Sequence, residues 1–542
     1  MGATMKKLPI GIQSFEIMRS DAYYYVDKTP LIKKLVDQGR YFFLSRPRRF
    51  GKSLFIDTLK HAFSGKKEYF SGLYLEDHWD WDVCYPVISL SFGTGVVNNS
   101  DHLETIIVSL MDEVARRYGI KIEGELSSLR FRELIIKLHD QHRKKVVILI
   151  DEYDKPILDN IENSDIARNM RECLKNFYSV IKDCDPYLKF VFLTGISKFS
   201  KVSLFSVLNN LQDITLDSRY AAICGYTHDE LISVFANQLE NVDIGKIKHW
   251  YNGYNFLGEN VYNPLDILLF LDNREFRNYW FETGTPTFLI KLIQEKQYPV
   301  PKIERAIATD QLLGSFDIHH IEVETLLFQT GYLTIGSIRT VLDSNVYTLV
   351  YPNFEVKRSL TDFILGYLTR NMPAKEENKL SLLDILLTPD MDRLRDLFHS
   401  FFASIPHDWY RKNEIARYEG YYASVFYCYF TALGLDVTAE DATNHGRIDL
   451  TVKLERRIFI LEFKVVNLDT GKTSALEQIK TKGYHEKYRA DADEIFLIGV
   501  EFDCKERNII RFEYETICTG SDKCGTGSEE VTISEKKHRC SI

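Results

Sequence analysis

Residues 41–63 constrain the fold most strongly, because they read as a buried strand, a loop and a helix in direct succession. The strand is the apolar run YFFLS, and the helix that starts near Leu54 repeats apolar side chains at helical spacing. The loop between them, RPRRFGKS, ends in Gly51, Lys52 and Ser53. In such a loop backbone N–H groups cradle phosphate, the lysine meets the outer phosphates and the hydroxyl meets Mg²⁺. The stretch therefore predicts a phosphate site at a helix N-terminus.

The loop departs from the full pattern G-x-x-x-x-G-K-[ST], because Arg46 occupies the position of the first glycine. A bare Gly-Lys-Ser occurs by chance in many chains of this length, so an ordinary surface loop is the competing interpretation. The strand before the loop and the helix after it support nucleotide binding instead. The predicted nucleotide contacts are Arg46, Pro47, Arg48, Arg49, Phe50, Gly51, Lys52 and Ser53, with Ser53 also a ligand of Mg²⁺.

A second stretch, VVILIDE at residues 146–152, places two carboxylates after five apolar β-formers. Such a run is typical of a buried strand in a parallel sheet, where ligands bind beyond the carboxyl ends of the strands. Asp151 there can hold Mg²⁺ through water, and Glu152 can orient and polarise an attacking water. The alternative is that both residues only cap the next helix. The spacing from the loop is typical of the second nucleotide motif of P-loop ATPases, so together the two stretches favour ATP binding.

A third strand candidate, KFVFLTG at residues 189–195, ends in Thr194, where a sensor of the γ-phosphate would lie. A polar residue at a strand end is common, so this signal is weak when taken alone. Strands that alternate with helices, such as the helix expected over 167–181, predict a doubly wound α/β domain.

The net charge of −9 excludes a protein coated with basic residues, so any nucleic-acid site must be a local patch. The 542 residues suffice for roughly three or four domains. No apolar stretch reaches about 18 residues, and the first residues lack an apolar signal core. We therefore expect no membrane contact and a cytoplasmic location.

Three consecutive tyrosines at residues 23–25 precede the first strand. They could simply pack against that strand. The sharper interpretation is that part of this segment lies over a nucleotide base. Sequence alone leaves both interpretations open.

The motifs SRPRRFGKS, VVILIDEYD, FLTGISKFS, LFSVLNNLQDITLD and WYNGYNF with VYNPLDI resemble the bacterial AAA-ATPase-like family, over residues 8 to the 360s. Members of that family commonly lack the first loop glycine, so the resemblance implies that Arg46 is a family trait. It also implies a P-loop core followed by a helical lid.

Residues 226–370 are expected to form that lid and a winged helix, since a helix near 321–329 precedes two strand candidates, GYLTIGSI and VYTLVYP. A winged helix can contact DNA or serve only as a protein contact. Residues 371–410 read as connecting helices, with residues 373–378 as an exposed turn.

A second chemical site is predicted within residues 411–515. Two strands, joined by a tight turn near Glu455, carry Asp449 on the first and Glu462 with Lys464 on the second. Residues two apart share one face of a strand, and a buried carboxylate and amine need partners or a metal. Asp449 and Glu462 are predicted to bind Mg²⁺ for a hydroxide nucleophile, with Lys464 acting on water and phosphate. Glu419, on a preceding helix, could add an outer metal contact.

After these strands, Ser474 and Glu477 form a capping box that opens a helix with Gln478, Lys480 and Lys482, expected to face outward and grip phosphate. GRIDL, ILEFK and LEQIKTKGY resemble the PD-(D/E)xK nuclease superfamily. Gln478 and Tyr484 are spaced more widely than the Gln-x-x-x-Tyr motif of RecB-type nucleases, so the resemblance assigns them no role. The alternative interpretation is a structural ion-pair set in a domain that does not cut.

The sequence thus predicts an α/β protein: a P-loop parallel-sheet ATPase core (1–225), a helical lid with a winged helix (226–370), connecting helices (371–410), a separate α/β nuclease-like domain (411–515) and a disordered tail (516–542). The expected cofactors are ATP and Mg²⁺, the expected partner is DNA, and a homo-oligomer is left open. The rival function is an ATP-switched scaffold or signalling protein whose nuclease-like domain binds nucleic acid or protein without cutting.

Overall fold

The computed structural model describes residues 6–93, 95–198, 210–281, 287–314, 321–369, 372–404, 419–466, 474–503 and 506–519. The chain forms two compact units, Met1–Leu289 with Arg305–Val356 and Ile290–Glu304 with Lys357–Ile542. Within the described ranges, no helix is both long and apolar enough to cross a membrane. Of the predicted tail, residues 520–542 lie outside the described residues.

The elements up to the lid are, in chain order, α1 (Phe15–Ser20), α2 (Thr29–Gln38), β1 (Tyr41–Ser45), α3 (Lys52–Phe63), α4 (Leu75–His78), β2 (Val87–Ser91), α5 (Ser100–Arg117), α6 (Ser127–His142), β3 (Val146–Asp151), α7 (Lys155–Leu158), α8 (Ser164–Asp183), β4 (Leu188–Gly195), β5 (Gln212–Asp213), α9 (His228–Val234), α10 (Ile244–Tyr251), β6 (Asn252–Tyr254), β7 (Val261–Tyr262) and α11 (Pro264–Asn273).

The core of the first unit is a five-stranded parallel sheet in the order β2-β3-β4-β1-β5. The inner strands β1, β3 and β4 are mostly apolar runs, and all six residues of β3 are buried. Parallel strands that are covered on both faces need apolar side chains at every position, which explains why these runs do not alternate with polar residues. The order brings the carboxyl ends of β1, β3 and β4 together at one edge. This edge is where the predicted nucleotide residues lie.

The remaining elements are α12 (Thr287–Glu295), β8 (Ala306–Thr309), α13 (Asp310–Leu313), α14 (Val323–Thr330), β9 (Thr334–Val341), β10 (Ser344–Val350), α15 (Phe354–Thr369), α16 (Met372–Leu387), α17 (Met391–Ala403), α18 (Glu419–Ala432), β11 (Asp436–Thr443), β12 (Gly446–Leu454), β13 (Arg457–Val466), α19 (Ala475–Thr481), β14 (Glu494–Asp503) and β15 (Asn508–Cys518).

The two predicted strands form the antiparallel hairpin of β9 and β10, preceded by α14, and the assignment as a winged helix stays a prediction. A third antiparallel strand, β8, pairs with β10 and was missed in the sequence. The hairpin tip carries Leu342, whose side chain is 95% exposed. Whether the wing contacts DNA or protein stays a prediction.

The second unit contains a mixed five-stranded sheet, β11-β12-β13-β14-β15. β13 and β14 run parallel, and the other neighbouring pairs run antiparallel. Helix α18 covers one face through ring contacts such as Phe426 with Phe463, at 5.0 Å between centroids. Ile479 of α19 packs with Ile460 and Leu497 in a separate apolar cluster.

Two expectations for the second unit were wrong. Residues 373–378 lie inside α16 and are not an exposed turn, because Pro373 occupies the second helical position, where proline is tolerated. Lys375 in that stretch is buried and pairs with Asp362 at 2.8 Å. β15 continues to Cys518, three residues into the predicted tail, because these residues pair with the start of β14.

Candidate functional site

The predicted phosphate loop lies between β1 and α3 and lines a cavity of about 470 Å³. Gly51 has a φ of 89° and ends the loop, so that α3 begins at Lys52. This left-handed conformation favours glycine, which explains the residue at this position. The predicted residues that line the cavity are Arg48, Arg49, Phe50, Gly51, Lys52, Ser53 and Glu152.

The side chain of Arg46 is buried and directed at backbone carbonyls of the first unit. Its Nη1 donates to the oxygens of Ser45 and Thr215 at 2.9 and 2.8 Å. Its Nη2 donates to Tyr220 O at 3.3 Å, and the guanidinium lies 3.8 Å from the ring centroid of Phe256. Arg46, at the position of the first glycine in the full pattern, therefore stabilises the loop through hydrogen bonds to the backbone.

Lys52 Nζ donates to the carbonyl oxygens of Arg46 and Pro47, at 2.9 and 2.8 Å. These bonds fold the lysine back over its own loop, beside the cavity that it lines. Burial lowers the pKa of the ammonium, and the nearby carboxylate of Asp151 opposes that shift. An anion in the cavity would favour the charged form further.

The carboxylates after β3 occupy different environments. Asp151 is buried, and its Oδ1 accepts a hydrogen bond from the hydroxyl of Thr194 at 2.6 Å. Glu152 has a φ of 52°, an uncommon left-handed conformation for a residue with a side chain. Glu152 lines the cavity, whereas Asp151 and Thr194 are not among its described lining residues. Burial, with the adjacent Asp151, raises the pKa of Glu152.

Asp154 is a third carboxylate at this edge, and it was not among the predicted site residues. Its Oδ2 accepts from the N–H of Ile196 at 3.0 Å and from the N–H and hydroxyl of Ser197, both at 2.6 Å. Burial raises its pKa, and the bonds from Ser197 oppose that rise. Asp154 therefore joins the end of β3 to the segment that follows Thr194.

Apolar side chains from two further segments, the N-terminal segment and residues 226–268, also line the cavity. The first contributes Ile12, Met18, Tyr24, Tyr25 and Val26, and the second contributes Tyr226, Pro264, Leu265 and Leu268. Tyr24 also packs on Phe235, at 5.1 Å between ring centroids. Apolar and aromatic side chains that line the same cavity as the predicted phosphate loop suit a nucleotide base. This ring contact of Tyr24 is with Phe235 and not with the first strand, and placement of a base over this segment stays a prediction.

A buried pair of carboxyl groups, Asp266 and Glu355, lies behind the loop and was not found in the sequence. Glu355 Oε1 accepts the backbone N–H of Trp280 at 2.9 Å, and the indole N–H of Trp280 donates to Arg48 O at 3.2 Å. Burial, with the neighbouring Glu355, raises the pKa of Asp266 well above its usual range. Two adjacent carboxyls that are both removed from water retain a proton between them. This pair of carboxyl groups positions Trp280, whose indole N–H binds the loop at Arg48.

In the second unit, Asp449, Glu462 and Lys464 lie on β12 and β13, as the sequence predicts. Asp449 Oδ2 accepts the backbone N–H of Phe463 at 2.8 Å, which ties it to the neighbouring strand. Glu462 is buried, and Lys464 Nζ donates to Ser474 O at 3.2 Å. Glu419 begins α18, but its side chain lies outside the described residues.

The expectation that Gln478 faces outward was wrong. Its side-chain amide donates to Glu462 Oε1, because the first turn of α19 lies over the sheet beside that carboxylate. Tyr484 donates to Arg447 O at 2.8 Å. Burial, with the charges of Glu462 and Asp449, raises the pKa of Tyr484 to about 12. The wide sequence spacing of Gln478 and Tyr484 concealed that both approach this site.

Helix α19 also carries the two lysines that were expected to grip phosphate. Lys480 is exposed but pairs with Glu515 of β15 at 2.8 Å, so part of its charge is already compensated. Lys482 lies near the Tyr484 ring, at 5.9 Å from its centroid. Of the two lysines, Lys482 is therefore the one beside Tyr484, which approaches the site of Asp449 and Glu462.

Both sites offer oxygen donors of the kind that Mg²⁺ prefers. In the first unit these are the Ser53 hydroxyl and the Asp151 carboxylate, and in the second they are Asp449 and Glu462. Mg²⁺ usually binds one or two carboxylates and completes its shell with water and substrate phosphate, so both donor sets fit the ion. Among the described residues no group of three or more His, Cys, Asp or Glu could hold a metal.

Comparison with known proteins agrees with this division. Residues 9–205 match the family described as "Predicted AAA-ATPase", and residues 417–512 match the PD-(D/E)XK nuclease superfamily. An "Uncharacterized protein in vnfD 5'region" from Azotobacter chroococcum mcd 1 is 52% identical over 514 residues, which cover 94% of this chain and 99% of that protein. The chain belongs to the AAA-ATPase-like family. Its C-terminal domain is similar to PD-(D/E)XK nucleases.

In this AAA-ATPase-like protein both matched regions hold the predicted chemical residues. The first match includes the loop, Glu152 and Thr194, and the second includes Asp449, Glu462 and Lys464. The α/β architecture, with a parallel sheet before a separate mixed sheet, confirms the predicted fold class.

Proposed function

We propose that this protein binds and hydrolyses ATP and that its C-terminal domain is a Mg²⁺-dependent DNA nuclease coupled to that cycle. One observation carries the ATP assignment: Lys52, Ser53 and Glu152 line a single cavity at the carboxyl edge of a parallel sheet. A phosphate loop and a partly buried carboxylate across one cavity form the arrangement that phosphoryl transfer to water requires.

In the ATPase site, Lys52 leaves the carbonyls of its loop and binds the outer phosphates. Ser53 and Asp151 would hold Mg²⁺, which would neutralise developing charge on the phosphates. Thr194 fixes the Asp151 carboxylate through its hydroxyl. Glu152 orients the attacking water and accepts its proton, and burial with the adjacent Asp151 raises its pKa in the direction of a stronger base.

In the nuclease site, Asp449 and Glu462 would hold Mg²⁺, which would activate water and stabilise charge on the scissile phosphate. Lys464 positions water and neutralises phosphate charge. Gln478 orients the Glu462 carboxylate through its amide. Phosphate contacts from Lys482 would make DNA binding weaken as salt rises.

The second candidate function is the ATP-switched scaffold. It is favoured by the pairing of Lys480 with Glu515, which reduces the positive charge available to DNA on α19. The acidic net charge of −9 points the same way. In that case the nuclease-like domain binds nucleic acid or protein and does not cut.

The deciding experiment incubates the purified full chain with Mg²⁺ and linear, nicked, branched or single-stranded DNA, with and without ATP. We expect Mg²⁺-dependent cutting by the wild type that is absent in Asp449→Asn, because asparagine keeps the shape but not the charge. Equal residual cutting in both proteins would identify a contaminant. No cutting of any DNA form, with or without ATP, would favour the scaffold.

A further inference from the structure

Two pairs of residues lie side by side where β13 and β14 run in parallel. Glu462 is in register with Gly499, and Lys464 is in register with Glu501. Residues two apart on a strand share a face, so these four residues form a patch on the face that carries the nuclease-like site. Glu501 was not singled out in the sequence and has no role in the proposed reaction.

Glu501 and Lys464 hold the two ends of one peptide group at the start of α19. Lys464 Nζ donates to Ser474 O at 3.2 Å, and Glu501 Oε1 accepts the N–H of Ala475 at 3.0 Å. Ser474 O and Ala475 N belong to the same peptide unit. The first turn of a helix has N–H groups without intrahelical acceptors, so a carboxylate here fixes its position.

Gly499 allows this turn to lie directly on the sheet. A Cβ at residue 499 would stand 2.3 Å from the backbone nitrogen of Leu476, so only glycine fits. One turn further along α19, Gln478 donates to Glu462 Oε1. The position of the first turn therefore determines whether the side chain of Gln478 can contact Glu462, the predicted metal ligand.

Glu501 is only 5% exposed, and its Oε2 lies 3.4 Å from Nη1 of Arg511 on β15. Removing a carboxylate from water is costly unless charged groups and hydrogen bonds compensate it. Here Arg511 and the Ala475 N–H supply that compensation. The Glu501 carboxylate is thus held in a position where it binds the first turn of α19.

We propose that Glu501 is a positioning residue of the nuclease site: with Lys464 it clamps the Ser474–Ala475 peptide, so that Gln478 is held against Glu462. The catalytic consequence rests on the proposed nuclease function, whereas the clamp itself does not.

Amide hydrogen exchange on the full chain tests the clamp without any need for activity. In Glu501→Ala the amides of Ala475–Thr481 should exchange about tenfold faster, as expected for the loss of a charge-assisted hydrogen bond. Glu501→Gln keeps the length and an acceptor oxygen, so it should retain most of the protection. Glu501→Asp keeps the charge but is one methylene shorter, so it should behave like Glu501→Ala.

The matched control is Glu494→Ala on the same strand, because Glu494 also carries a partly buried ion pair, with Arg457 at 2.8 Å. Exchange in α19 should stay at the wild-type rate in this variant. Unchanged exchange of α19 in both Glu501→Ala and Glu501→Asp would overturn the clamp. If Glu501→Ala does not fold, the comparison of Glu501→Gln with Glu501→Asp decides the same question.

DNA cleavage tests the catalytic consequence. Glu501→Ala should lower kcat by about 10–100-fold, the usual effect of losing support for a metal ligand. If Glu501 acts through Gln478, the double variant with Gln478→Ala should lose little more than Gln478→Ala alone. Fully additive losses would overturn the route through Gln478. If the wild type cuts no DNA, the proposed function fails while the exchange result still decides the clamp.

Discussion

The three carboxylates of the DEYD segment show how side chains within four consecutive residues take separate tasks. Asp151 is fixed by a hydroxyl, and Asp154 accepts bonds from the backbone beyond β4. Glu152 projects into the cavity because its backbone turns into the left-handed region. Such backbone strain persists only where the surrounding structure enforces it, and it is frequent at functional sites.

Glu152→Gln should bind ATP like the wild type but hydrolyse it on the order of a hundredfold or more slowly, since it lacks the carboxylate that orients and deprotonates water. Asp154→Asn should instead lower the melting temperature, because an amide replaces a carboxylate that accepts at least three bonds. ATPase rates, nucleotide titration and thermal melts of both variants check this. Normal turnover by Glu152→Gln together with a stable, inactive Asp154→Asn would show that the wrong carboxylate has been assigned.

The pH profile of hydrolysis should report Glu152. Its pKa is raised, so the carboxyl becomes protonated at a higher pH than an ordinary glutamate, and the protonated form cannot accept a proton from water. Activity should therefore fall as the pH drops, starting above the usual carboxyl range, and level off above the raised pKa. This acidic limb should disappear from the residual activity of Glu152→Gln. Its persistence there would assign the limb to another group.

Lys52→Ala should remove ATP binding, because it deletes the cation that meets the outer phosphates. A fluorescent ATP analogue measured by anisotropy gives the Kd directly. Lys60→Ala is the control, since Lys60 lies on the same helix and pairs with Asp57 at 2.9 Å. Affinity of Lys52→Ala equal to the wild type would reject the central assignment.

Among the elements, β15 is the last one in the described part of the chain. Deleting all residues after Glu515 removes Thr516, Ile517 and Cys518, which pair with β14. Ile517 also packs against the apolar cluster under α19. This loss should cost about 1–2 kcal/mol and lower the melting temperature by a few degrees. Deletion after Thr519 should leave the melting temperature equal to that of the full chain. The shortened and the full chain are both measured with reductant, so that their cysteines are in the same state.

Element type was predictable where a single run of residues decides it. The apolar strands of both sheets follow from the sequence, as do the loop and the turn at Glu455. The short strand β8 and the helical start at Pro373 could not be inferred, because neighbours distant in sequence stabilise them. The same limit applies to the sites. Residue types at motif positions were predictable, but the contact of Gln478 with Glu462 depends on how α19 lies on the sheet.

At the scale of the whole molecule, the two predicted sites lie in different compact units. Asp449→Asn, Glu462→Gln and Lys464→Ala should therefore each retain the ATPase rate of the wild type, within about twofold, while losing DNA cleavage. Lys464→Ala should still bind metal and DNA, because the lysine acts on water and phosphate. Parallel assays of ATP hydrolysis, Mg²⁺ binding and cleavage check the separation. Loss of ATP hydrolysis in all three variants would show that ATP hydrolysis requires an intact nuclease-like site.

Arg46 has an evolutionary consequence. Glycine at this position would be unfavourable, since Arg46→Gly would leave the carbonyls of Ser45 and Thr215 without the guanidinium donor and the Phe256 ring without its cation. The present contacts of Arg46 therefore oppose a change to the two-glycine pattern. Pattern searches built on the two-glycine consensus will pass over such chains, although their loop still ends in the same Gly-Lys-Ser.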